Sequence, residues 1–165
     1  KLKYDPTPPA GTANVIISGM IQVDGNLVVG EKNFNMTYDG RGTMYAAPAA
    51  GQAGDIDVHS NFLSKAIFPV DDVIGLMARN NMNLATGPGD SQLIMAGAFY
   101  ANNQTISTKQ NEIAGTFVCQ YFDMGTNVPD IFQVPELINN LPPGLIGSDD
   151  IWVVTGFQEG SWEVE

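Results

Sequence analysis

Apolar and polar positions alternate in short runs along most of this chain. Runs at 14–18, 20–23, 27–29, 43–45 and 56–58 are rich in Val, Ile, Met and Tyr, and each is bounded by Gly, Asn or Asp. A period of two residues predicts half-buried strands. Asp24-Gly25 and Asp39-Gly40 are turn signals between or beside such runs. One stretch competes for a helix: 69–79 carries Asp71 and Asp72 at its front and Arg79 at its back. Gly75 in its middle favours a strand instead.

Five glycines open similar strings: Gly19, Gly42, Gly75, Gly97 and Gly115, spaced 23, 33, 22 and 18 residues apart. The residue two places on is apolar in each case (Ile21, Met44, Met77, Phe99, Phe117). Four places on lie Val23, Ala46, Arg79, Ala101 and Cys119. In a strand, positions +2 and +4 share a face, so one side of each string is marked for burial. A repeat near twenty residues built of single strands predicts an all-β fold of right-handed parallel β-helix type, a solenoid. Without a true repeat, the same runs would build a β-sandwich of antiparallel strands. Asparagines at the predicted turns (Asn80, Asn81, Asn83, Asn102, Asn103, Asn111) suit left-handed backbone and can form amide ladders between stacked turns.

The boundaries expected are an extended lead-in at 1–11, holding Pro6, Pro8 and Pro9, and a single domain at 12–165. Within that domain, 123–165 reads as an irregular proline-rich strap. It contains Pro129, Pro135, Pro142 and Pro143 and ends in a closing strand read from the alternation of 151–157 and 160–164. The strap's apolar residues need a surface to lie on, and a solenoid needs its open end covered.

Composition narrows the function. Seven basic against 18 acidic residues give a net charge of −11, and only 15% of residues are charged. Nucleic-acid binding is excluded as a general property, because it needs clustered Lys and Arg. An anionic membrane surface would repel the chain, so membrane contact is expected only through a segment not included here. The single cysteine, Cys119, permits no internal disulfide, and its apolar setting predicts a buried hydrophobe. Low charge with abundant Gly, Asn and Thr points to an extracellular or cell-surface protein.

Candidate chemistry is sparse. His59 is the one histidine, and no Gly-x-Ser-x-Gly elbow accompanies it. Strand alternation places Asp55, Asp57 and His59 on one face, where they would serve a metal or a general base; a solvated face is the plainer reading. The pairs Asp71-Asp72 and Asp149-Asp150 put their side chains on opposite faces of a strand, so neither makes a carboxylate dyad. No calcium loop of Asp-x-Asp-x-Asp-Gly type is present, and the glycine-rich 86–90 lacks the Lys of a phosphate loop. No catalytic residue, cofactor or metal is therefore expected. The remaining candidates are Tyr45 and Tyr100, both three residues after a repeat glycine. They should point outward from one sheet and offer rings to a neutral glycan or a partner protein. The plainer reading packs them under the proline-rich strap; only if the strap lies elsewhere is that face free.

Four strings, Val73-Ile74-Gly75-Leu76-Met77-Ala78-Arg79-Asn80-Asn81, Leu93-Ile94-Met95-Ala96-Gly97-Ala98-Phe99-Tyr100-Ala101, Phe117-Val118-Cys119-Gln120-Tyr121-Phe122-Asp123 and Leu141-Pro142-Pro143-Gly144-Leu145-Ile146, precede a Trp-containing end. Together they resemble the C-terminal regions of bacterial PilX-type minor pilin-like proteins. The resemblance spans roughly residues 12–160. It implies a β-solenoid, pilus subunits among the partners, and surface anchoring through an N-terminal helix lying outside this chain. It brings no catalytic residues. The expected function is a non-catalytic structural or adhesion module of the cell surface or type IV pilus. The alternatives are a β-helical carbohydrate-active enzyme and a calcium-stabilised adhesin repeat.

Overall fold

The structure, a computed structural model, describes residues 2–5 and 11–145. The expected closing strand at 151–164 and the pair Asp149-Asp150 lie outside the described residues. The fold is all-β, with two sheets of parallel strands.

The larger sheet runs β1 (Leu2–Asp5), β2 (Thr12–Asp24), β4 (Asn35–Ala47), then β6 (Asn61–Ser64) and β7 (Val73–Ala78) side by side on one level, β9 (Ile94–Ala101), β11 (Glu112–Val118) and β13 (Asp130–Gln133). The smaller sheet stacks β3 (Leu27–Val29), β5 (Ile56–Val58), β8 (Met82–Leu84), β10 (Gln104–Ser107) and β12 (Tyr121–Asp123). After β2 the chain alternates between the sheets, so each parallel pair in one sheet is connected through a strand of the other. Parallel strands always need such a crossover; here it is a strand rather than the usual helix. Between named strands only β1 with β2 is antiparallel, so the antiparallel sandwich is not what forms.

The register shows what the glycine strings mean. Gly19 stands opposite Gly42, and Gly97 opposite Gly115. Ile21 pairs with Met44, Met44 with Leu76, Leu76 with Phe99, and Phe99 with Phe117. The Gly75 string is one residue out of step: Ile74, not Gly75, faces Gly42. Leu76 is therefore the core residue of that level, while Met77, expected to be buried, lies on the outer face. The shift also explains Arg79, which broke the +4 pattern. Ala78 takes that place, between Ala46 and Ala101.

One apolar core fills the space between the sheets. Tyr38, Phe62, Ile74, Leu76, Met95 and Phe99 enter from the larger sheet; Ile56, Val58, Met82 and Leu84 enter from the smaller. Cys119 packs against this cluster, half-buried. Lys65 to Asp72 form an excursion that divides one level into β6 and β7. The buried Asp72 carboxylate closes it by accepting the Gly40 amide at 2.7 Å and the Ala66 amide at 2.5 Å. The strand beginning at Val73 settles the helix competition at 69–79 against the helix.

The expected amide ladders form at one corner. Asn26 Oδ1 accepts the amides of Gly54 and Asp55, Asp55 Oδ1 accepts Asn80 Nδ2 and the Asn81 amide, and Asn81 Oδ1 accepts Asn103 Nδ2 at 2.8 Å. Each level's turn is thus fastened to the next, satisfying backbone groups that the bend leaves unpaired.

Tyr38 donates its hydroxyl to the Ala96 carbonyl at 2.9 Å deep in the core. Burial, and secondarily the charge on Asp72, hold its phenol well above the ordinary tyrosine range. A raised folded-state pKa means the contribution is intact below the unfolded value, about 10, and is lost as pH climbs above it. In an alkaline spectroscopic titration Tyr38 should stay neutral beyond the ordinary tyrosine range and ionise only with unfolding. A Tyr38 signal that ionises within that range while the protein is still folded would contradict this.

Candidate functional site

Tyr45 lies on β4 and Tyr100 on β9. Register aligns Tyr45, Met77, Tyr100 and Val118 across four adjacent strands on the outer face of the larger sheet. The outward direction expected for both tyrosines holds, since their neighbours Met44, Ala46, Phe99 and Ala101 are core residues. With β7 between them, the two tyrosines stand about 9–10 Å apart in the stacking direction.

The face is not open, however. The strap lies on this same side, so the tyrosines sit beside it, as the plainer of the two readings has it. It begins later than 123, because Asp130–Gln133 is still a strand of the larger sheet. A short 3-10 helix, Pro135–Asn139, then buries Leu137. Pro142 sits over Gly75: a Cβ on that glycine would come within 3.0 Å of the proline ring. The outer-face residues Thr43, Val73 and Ala98 are buried although they point away from the core, Ala98 beside Leu141 and Leu145 of the strap. Arg41 fastens the strap by donating to the Leu141 carbonyl at 3.3 Å. It also donates to the carbonyls of Pro69 and Val70 at 3.0 Å. The strap's apolar side chains seek this face because the small residues Thr43, Gly75 and Ala98 leave a trough there.

Between strap and sheet remains a groove of about 500 Å³. Met77, Tyr100 and Val118 floor it, Leu141 and Leu145 wall it, and Arg79 and Asn102 supply its polar groups. Tyr45 and Tyr100 are both half-buried there, and the Tyr100 hydroxyl reaches toward Asn102 Oδ1 at 3.5 Å. The arrangement suits an apolar side chain or a flat apolar surface. Sequence reasoning found the two tyrosines but missed Met77, Val118, Leu141 and Leu145. Met77 is hidden by the register slip; Val118 stands in step three places after Gly115 but carries no aromatic ring to mark it; the two leucines depend on the strap's path.

The acidic constellation has other employment. Asp55, Asp57 and His59 do share a face, but each is bound to a different neighbour. Asp55 holds the asparagine corner, Asp57 Oδ1 accepts Asn83 Nδ2 at 2.7 Å, and His59 Nδ1 lies 2.7 Å from Asp90 Oδ2. Asp90, 31 residues away, also accepts the Gly87 amide and is buried. Among the described residues no three His, Cys, Asp or Glu side chains converge as a metal site would need, and no helix is long and apolar enough to cross a membrane.

No protein-family model matches the sequence, and no curated protein does. Among solved structures, the competence-associated pilin ComZ from Thermus thermophilus is similar in fold, with a TM-score of 0.56 at 17% identity. The match covers 89% of this chain and 30% of the pilin, so the chain spans under a third of that protein's length and shares the fold of that part of a pilin.

Proposed function

We propose that this chain is a non-catalytic, pilus-associated module of the cell surface, a minor pilin-like ectodomain of the PilX type, folded as a right-handed parallel β-helix. Handedness follows from the rule that parallel strands are joined by right-handed crossovers. The fold likeness to a pilin supports the pilus setting. The observation that carries the binding role is the groove of Tyr45, Met77, Tyr100 and Val118 beneath the strap. Its apolar lining favours a partner protein over the neutral glycan considered for the same tyrosines, because a sugar needs several in-plane hydrogen-bond partners. Another pilus subunit presenting apolar side chains is the proposed occupant. The hydrogen-bonded state of Asp55, Asp57 and His59 supports the non-enzyme reading, since carboxylates committed to cross-level ladders are poorly placed for acid–base work.

Co-sedimentation with sheared pili of the source organism tests this. Wild type should pellet with the filaments. The Tyr45→Ser/Tyr100→Ser double variant should bind at least about tenfold more weakly, as loss of two aromatic anchors would produce. Both residues are half-buried, so the variant should lose about 1–3 kcal/mol of stability yet stay folded. Equal pelleting of variant and wild type removes the groove from the reading; absence of pelleting by wild type removes the pilus. Polysaccharide depolymerisation that vanishes on replacing Asp55, Asp57 or His59 would promote the carbohydrate-active enzyme instead.

A further inference from the structure

At the corner where the chain passes from the smaller sheet back to the larger one, three successive levels converge on a second, polar pocket of about 230 Å³. The loop before β4 brings Phe34, the link between β5 and β6 brings His59, and the loop before β9 brings Ser91 and Gln92; Asn35 and Asn61 open the adjoining strands. These groups are held in place from behind. The buried Asp90 carboxylate, itself fixed by the Gly87 amide at 2.7 Å, takes His59 Nδ1 at 2.7 Å and leaves Nε2 for another partner. Asn61 donates Nδ2 to Asn35 Oδ1 at 2.6 Å and accepts the Ile94 amide at 2.9 Å, which orients both amides. Ser91 Oγ donates to Asn33 Oδ1 at 2.9 Å, so its lone pairs remain available as acceptors.

We infer that this pocket binds one neutral pyranose unit. Sugar hydroxyls donate and accept at once, and imidazole, amide and hydroxyl groups match both capacities without needing a counter-charge. Phe34 supplies an aromatic side chain for the apolar C–H face of a sugar ring. The volume lies below the range typical of drug-sized ligands and suits a single ring. Lys and Arg are absent from the lining, and the chain carries a net charge of −11, so an anionic sugar is disfavoured. Side chains already locked by their own hydrogen bonds cost little entropy on binding. The site is separate from the tyrosine groove and does not depend on the pilus reading.

Saturation-transfer NMR on the whole chain with glucose, galactose, mannose and N-acetylglucosamine, and with glucuronic acid as the charged control, tests the inference. At least one neutral sugar should receive signal and glucuronic acid markedly less. His59→Gln and, separately, the exposed-site variant Gln92→Ala should each weaken that binding about tenfold, the effect of one lost hydrogen bond. The Tyr45→Ser/Tyr100→Ser variant should leave it unchanged. Should His59→Gln fail to fold, Gln92→Ala alone decides. Transfer to none of the neutral sugars overturns the inference. So does transfer that Gln92→Ala leaves undiminished, transfer equally strong to glucuronic acid, or transfer abolished by the tyrosine variant.

Discussion

Replacing Phe99 with alanine is expected to cost about 3–5 kcal/mol of unfolding free energy. Phe99 is 2% exposed and lies between Leu76 and Phe117 in the row of Ile21, Met44, Leu76, Phe99 and Phe117. Its ring stacks on Phe117 at a centroid distance of 4.8 Å, and Phe117 meets Phe122 edge-on at 5.5 Å. Levels above and below clamp the site, so the void cannot collapse, and the full transfer and cavity terms apply. Phe117→Ala should cost less, because Phe117 is half-buried near the last level. Chemical denaturation of the two variants against wild type gives both values. A Phe99→Ala protein within about 1 kcal/mol of wild type would mean that the row is not the stacked core described.

Gly115→Ala should be at least as damaging as the loss of Phe99, for a backbone reason. Gly115 has φ +149, and a Cβ there would fall 1.8 Å from the Gly97 carbonyl oxygen on the neighbouring strand. Neither partner can yield, because β9 and β11 are paired from Glu112–Ile94 to Val118–Tyr100. Relief requires pulling the two strands apart. Loss of the folded protein, or a drop of several kcal/mol, is the expected outcome. Gly125→Ala is the control: φ there is +55 but nothing lies within 4 Å, so the change should cost about 1 kcal/mol. If the two variants denature alike, the close approach of β9 and β11 at this level is not real.

Much of the fold was legible because its signals are local. Alternation within five or six residues exposes strand faces, and a glycine opening four of the five strings lands on its proper level. The asparagines at 80, 81 and 103 were readable as ladder residues because turn preference is a property of a residue and its neighbours. The Gly75 string misled by one place for the same reason. A local Gly-x-hydrophobe match takes no account of the excursion 65–72, and a single-residue slip exchanges the faces of Leu76 and Met77.

Tyr45 and Tyr100 were identified from sequence as outward-facing, since parity along a strand is enough to assign a face. What covers that face was decided only in three dimensions. The strap from Val134 to Leu145 follows no periodicity, and it is directed by the trough at Thr43, Gly75 and Ala98 and by Arg41 reaching 100 residues along the chain to Leu141. The pairing of His59 with Asp90 rather than Asp57 is of the same kind. Asp57 shares a strand face with His59, but cross-level stacking brings a loop residue 31 positions away to 2.7 Å. Sequence alone thus determined the strands, their faces outside the Gly75 string, and the ladder residues, because these depend on near neighbours in the chain. The groove, the oriented histidine and the polar pocket came from the tertiary structure, because each joins levels that only stacking brings together.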